Sequence, residues 1–189
     1  MLYYLDVIKM ISRVRMPGLL GLLVLLAGSA WGQIPKAPSV TMAALPEVTA
    51  PRAAQTKVNL NFRVGSDFHI NSNTPKSEYL IPTTLSIDVP TDIVLGRIEY
   101  PAGQDLTFPF SPDETLNVYS GDFTISVAVH PLHSVVPGKY VMHGVLRYQA
   151  CDNAQCFPPK TLPVSIDLKV VKEKPVPGHN PAQSPHVHN

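Results

Sequence analysis

The chain reads as an all-β protein, an antiparallel sandwich, and three observations predict it. Apolar and polar residues alternate with a period of two in several separate stretches, the pattern of strands with one buried face. Clusters of Gly, Pro, Asn, Asp and Ser punctuate those stretches as turns. After residue 32, no stretch of useful length carries a helical period.

Residues 1–32 read as a secretory signal. Arg13 and Arg15 precede an apolar run from Gly18 to Ala27, which is too short to span a membrane. Ala30-Trp31-Gly32 places small residues at −3 and −1 of a cleavage site after Gly32, and Met10 is an alternative start that keeps both arginines. No cysteine follows the run to take a lipid anchor. An uncleaved anchor is the competing reading; cleavage leaves no stable membrane insertion. Export puts the mature chain where disulfides are permitted.

Residues 33–56 hold several prolines and alanines without a period and read as a flexible lead-in. The β region is expected over 57–170. Val58, Leu60, Phe62 and Val64 alternate with polar residues, and Gly65-Ser66-Asp67 ends that strand. Phe68-His69-Ile70 runs into the turn chemistry of Asn71-Ser72-Asn73-Thr74-Pro75. Leu85 and Ile87 mark a short strand after Pro82, and Gly96 splits Ile93-Val94-Leu95 from Arg97-Ile98-Glu99-Tyr100. Residues 101–114 are turn-like, yet they hold Leu106, Phe108 and Phe110, which need a surface to cover. Leu116 and Val118, then Phe123 to Val129, restore the period around a Ser120-Gly121-Asp122 link. Beyond the turn Val136-Pro137-Gly138-Lys139, a strand from Tyr140 to Tyr148 runs towards Cys151. Leu162 to Val170 is the cleanest alternation in the chain, and 171–189 read as a disordered tail with His179, His186 and His188. Seven to nine short strands of this kind predict an immunoglobulin-like sandwich. It lacks the tryptophan core of antibody domains, because Trp31 lies in the signal.

Charge narrows the function. The chain is formally +1; the first 32 residues carry three basic groups and one acidic group, so the remainder has 12 basic and 13 acidic residues. No basic field exists to hold nucleic acid or an anionic membrane.

The chemistry lies in the two cysteines of the chain, Cys151 and Cys156, separated by Asp152-Asn153-Ala154-Gln155. A four-residue loop between strands is a hairpin end. Opposed residues there sit about 4.5–5.5 Å apart at Cα, within reach of a disulfide. Such a bond closes so small a loop that it adds only about 2 kcal/mol of stability. A weak, accessible staple favours exchange over structure, with Cys151 and Cys156 as the reacting pair. Two alternatives stay open: a structural bond on an exported binding module, and a metal site completed by His143 or the tail histidines. No cofactor and no metal is expected. Arg147 and Lys160 are the nearest cations in sequence and Asp152 works against a thiolate at Cys151, so ordinary thiols are expected, made selective by access.

Tyr148-Gln149-Ala150-Cys151 and Cys156-Phe157-Pro158-Pro159 resemble the active-site hairpin of the N-terminal periplasmic domain of DsbD, the thiol:disulfide interchange protein. Phe68 to Asn73, Tyr79 to Thr83, Tyr100-Pro101 and Val118-Tyr119-Ser120-Gly121 follow that family's order, so the resemblance covers about residues 55–170. It implies an immunoglobulin-like fold and a cysteine pair that takes electrons from a membrane donor protein. The pair would pass them to periplasmic thioredoxin-like proteins serving disulfide isomerisation or cytochrome c maturation. It also implies a cap loop with a shielding aromatic residue, for which Phe108 or Phe110 is the match; the alternative is that both are ordinary core residues. His69, Tyr148 and Phe157 are the candidates for the thiols' surroundings. DsbD continues into a membrane domain and a thioredoxin-like domain, whereas this chain ends in a polar tail, so its electron source is expected to be a separate protein.

Overall fold

The computed structural model describes residues 38–173. The expected signal over 1–32 and the tail beyond residue 173 lie outside the described residues. Within them, β1 (Val40–Met42) and β2 (Val48–Pro51) precede β3 (Thr56–Val64), β4 (His69–Asn71), β5 (Thr84–Asp88) and β6 (Ile93–Glu99). β7 (Gln104–Phe108) and β8 (Ser111–Tyr119) form a hairpin. β9 (Asp122–Pro131), β10 (Gly138–Tyr148), β11 (Ala150–Cys151) and β12 (Lys160–Val171) complete the order. No helix among the described residues is long and apolar enough to cross a membrane.

The strands make three four-stranded sheets, ordered β1-β3-β9-β6, β2-β12-β10-β5 and β11-β4-β8-β7. The first two face each other as an immunoglobulin-like sandwich. Alternation decides the inner faces: Val58, Leu60, Phe62 and Val64 of β3 are buried, with Lys57, Asn59, Asn61 and Arg63 outside. Val164, Ile166, Leu168 and Val170 of β12 and Met142, Leu146 and Tyr148 of β10 face them in one cluster. The Val40 N–H donates to the Tyr148 hydroxyl across the core at 3.3 Å, and the Leu85 N–H donates to the Tyr100 hydroxyl at 2.8 Å.

Three expectations need correction. The lead-in over 33–56 is not a loose segment in its described part. β1 pairs antiparallel with β3, and β2 pairs parallel with β12. Strands of three or four residues show no period, because each sends about one side chain inward: Val40 and Ala50 are buried and the backbone ladders do the rest. Residues 101–114 are largely β-hairpin rather than turn; β7 is exposed up to Phe108, so it lacks the alternation of a half-buried strand. Finally, Gly96 does not divide two strands. It lies in a bulge of one strand, β6, between Leu95 and Ile98, where an added Cβ would stand 3.0 Å from that of Ala128 on β9. With β1, β2, β7 and β11, the described residues hold twelve strands.

The inner faces carry the stability. Leu60→Ala, at a fully buried position, is expected to cost about 2–5 kcal/mol. Val141→Ala, on the outer face of β10 at 45% exposure, should cost under about 1 kcal/mol. Urea midpoints at constant m-value measure both.

Candidate functional site

β10 and β12 pair continuously from Gly138↔Val170 to Tyr148↔Lys160. The sequence predicts that β10 runs on into Cys151, but the chain leaves that sheet at Gln149. Ala150 then pairs with Ile70, and Cys151 with His69, in the third sheet. The Gln149 side chain makes the transfer: its Oε1 accepts from Asn71 Nδ2 at 3.1 Å and from the Ile81 N–H at 3.3 Å. Its Nε2 donates to the Phe157 carbonyl at 3.2 Å. The backbone carbonyl of Gln149 accepts from the Asn71 N–H. Gln149 thus joins both arms of the cysteine turn to β4 and to the segment before β5.

The turn is closed by Asp152. Its N–H donates to the Gln155 carbonyl at 2.9 Å, and its Oδ1 accepts from the N–H groups of Ala154 and Gln155 at 2.7 and 2.8 Å. The Phe157 N–H donates to the Ala150 carbonyl. Cys151 and Cys156 are disulfide-bonded with Cα atoms 3.9 Å apart, nearer than the 4.5–5.5 Å expected of relaxed strands because they close the neck of this cinched turn. Cys151 is wholly buried, whereas Cys156 is half-buried.

His69 faces Cys151 across the ladder, so the two side chains share one face of the third sheet. His69 is 4% exposed, and its ring stacks on Phe108 with centroids 3.8 Å apart and planes 12° apart. Phe110 stacks beyond, 5.6 Å from Phe108. Phe108 lies at the end of β7 and Phe110 in the turn before β8. With Leu80, Leu116 and Val118 they form a second apolar cluster, apart from the main core. Burial pulls the His69 pKa down to about 4, against the attraction of Asp152, so the ring is neutral at neutral pH. Its Nε2 is buried without a hydrogen-bond partner among the described residues. Phe157 packs edge-on against Phe68 at 5.9 Å on the chain beside His69.

Sequence reasoning therefore named a group that the fold assembles: Cys151, Cys156, His69, Phe108, Phe110 and Phe157. Tyr148 is placed elsewhere, in the main core, because the alternation of β10 sends its ring between the large sheets. Arg147 lies exposed on the outer face of β10, as does His143, and Lys160 donates to the Pro38 carbonyl. The roles of Gln149, Asn71 and Asp152 were missed. A polar residue between inward-facing Tyr148 and Ala150 was the available signal for Gln149, and Asp152-Asn153 is Asx-turn chemistry. The other stretches singled out in the sequence are tied to one another by hydrogen bonds. Tyr119 donates to Asn73 Oδ1 at 2.6 Å and lies 3.1 Å from the Pro101 carbonyl, and Thr83 bonds to Ser72 and Asn71.

The chain is similar to the N-terminal domain of DsbD. The reduced Neisseria meningitidis domain matches at 20% identity over 62% of this chain and 82% of that one, with a TM-score of 0.41. The N-terminal periplasmic domain of ScsB from Proteus mirabilis matches at 14% identity and a TM-score of 0.43; 69% of this chain spans 44% of that one. AggA, the major subunit of an Escherichia coli aggregative adherence fimbria, matches at 15% identity over 73% of this chain and 98% of that one, with a TM-score of 0.33. No protein-family model and no curated protein matches the chain.

The depressed His69 pKa makes stability depend on pH. Below pH 6.5 the unfolded chain binds a proton here that the folded chain refuses until about pH 4. Stability is therefore lost as pH falls through that window, by up to about 3 kcal/mol. His69→Phe, which retains a ring against Phe108, should remove this component. Urea midpoints of both proteins at pH 7 and pH 4.5 measure it, and equal losses would count against the assignment.

Proposed function

We propose that the chain is an exported, periplasmic thiol–disulfide exchange module that uses Cys151 and Cys156 to reduce thioredoxin-like partner proteins. The observation that carries this reading is the unequal access of the two cysteines in a turn that is also held by hydrogen bonds. Asp152 and Gln149 hold the turn by hydrogen bonds of their own, so the disulfide can open without dismantling the site. The half-buried Cys156 is the attacking thiol and the buried Cys151 the resolving one. In the forward reaction the Cys156 thiolate attacks a partner disulfide, and one partner sulfur leaves with the bonding pair. Cys151 then attacks the Cys156 sulfur, the mixed disulfide breaks, and the second partner sulfur leaves. The module ends oxidised and the partner holds two thiols.

Phe108 and Phe110 form the cap on this reading, resting on His69 beside Cys151. A docking partner displaces them to reach the sulfurs. Electrons return to the pair from a membrane donor protein. The site geometry carries the chemistry of this reading.

Two measurements test the proposal. Cys151→Ser should accumulate a mixed disulfide through Cys156 with thioredoxin-like proteins of a periplasmic extract, and Cys156→Ser should not. The potential of the wild-type pair should lie above about −300 mV, the range of working couples. A bond that resists reduction in the folded chain, with a potential well below that value, would identify a structural disulfide instead.

A further inference from the structure

The Nε2 of His69 is a buried polar atom with no hydrogen-bond partner among the described residues. Such an orphan is rare in a folded protein and points to strain, a bound water or ion, or a chemical role. Its ring is held by the Phe108 stack, on the same sheet face as Cys151. In the disulfide form Cys151 has no proton to offer. Reduction adds an S–H donor at the residue opposite His69, and a neutral imidazole nitrogen is an acceptor for it.

Cys151 needs such a group if the exchange reading holds. It is wholly buried, and apolar burial holds a thiol in its unreactive protonated form. Among the described residues no lysine or arginine is hydrogen-bonded at the turn: Lys160 is bonded to Pro38 and Arg147 lies on the outer face. We infer that His69 Nε2 is the proton acceptor for Cys151 in the step that closes the disulfide, an inference that rests on the exchange reading above. In this step the Cys151–Cys156 bond forms and the bond from Cys156 to the partner sulfur breaks. The partner sulfur leaves with the electron pair. The proton passes from Cys151 to His69 and then to that leaving thiolate.

The surroundings suit a transient acceptor rather than a permanent cation. Phe108 and Phe110, from the β7–β8 hairpin, bring no charge to the ring. Tyr119, opposite Ile70 on β8, is engaged with Asn73 and Pro101. Asp152 is the acidic group that acts on His69, and it is outweighed by burial, which keeps the resting ring neutral. An imidazolium formed there is poorly solvated and gives up its proton readily.

Glutathione disulfide serves as the probe. The reduced full chain is mixed with it, quenched in acid at intervals and weighed intact. Formation of the mixed disulfide and its later decay are read as separate rates in wild type and His69→Phe. The decay should be about 100-fold slower in His69→Phe at pH 7, the scale of a lost general base. The gap should narrow above about pH 9, where a thiol ionises unaided. Equal decay rates in the folded variant across that range would overturn the inference. A wild type that never forms or never resolves the mixed disulfide would instead remove the exchange reading beneath it. A second measurement needs no variant: the ¹⁵N shift of His69 Nε2 in the unaltered chain should move on reduction as the S–H bond forms. An unmoved shift would overturn the role of His69 even where exchange proceeds, and it decides the matter if His69→Phe does not fold.

Discussion

The cysteine end of the molecule depends on one constraint: a chain that leaves a sheet must find partners for its backbone groups elsewhere. Gln149 meets it. At the point where β10 ends, its amide joins β4, the Ile81 backbone and the returning arm at Phe157. Buried amides left unpaired cost about 1–3 kcal/mol each, so this set of bonds specifies the switch of sheets. The switch, in turn, puts Cys151 opposite His69 rather than at the open end of the sandwich.

Stability and chemistry are thereby divided between two apolar clusters. The main cluster lies between the large sheets and includes Leu60, Ile125, Met142 and Ile166. The smaller one, around Phe108, Leu116 and Val118, supports the site. The disulfide belongs to the second region and closes a loop with a sequence separation of 5, worth only about 2 kcal/mol. A bond of that size can open and close while the main cluster keeps the fold.

Solvation sets the character of the site. Burial makes the His69 ring neutral and keeps water from Cys151, while Cys156 and the Asp152 turn reach towards solvent. The carboxylate of Asp152 is occupied by two backbone N–H groups. It therefore shapes the turn first and acts on His69 only at a distance. Among the described residues, Lys160 is bonded to the Pro38 carbonyl and Arg147 lies on the outer face of β10, so access and burial set the character of the two sulfurs.

What the sequence determined by itself was everything written in alternation and turn chemistry. β3, β9, β10 and β12 were legible because each buries one face over many residues, and the residues to be brought together at the cysteine pair were legible as residue types. Short pieces were not: β1, β2 and β11 hold two to four residues, too few for a period to show. Tertiary structure decided where the pieces meet. Tyr148 and Cys151 are neighbours in sequence, yet one belongs to the main core and the other to the third sheet. His69 meets Cys151 across 82 positions of chain. Alternation specifies which face a side chain takes, but pairing between distant strands is chosen by their shared hydrogen bonds and buried surface, and those exist only once the chain has folded.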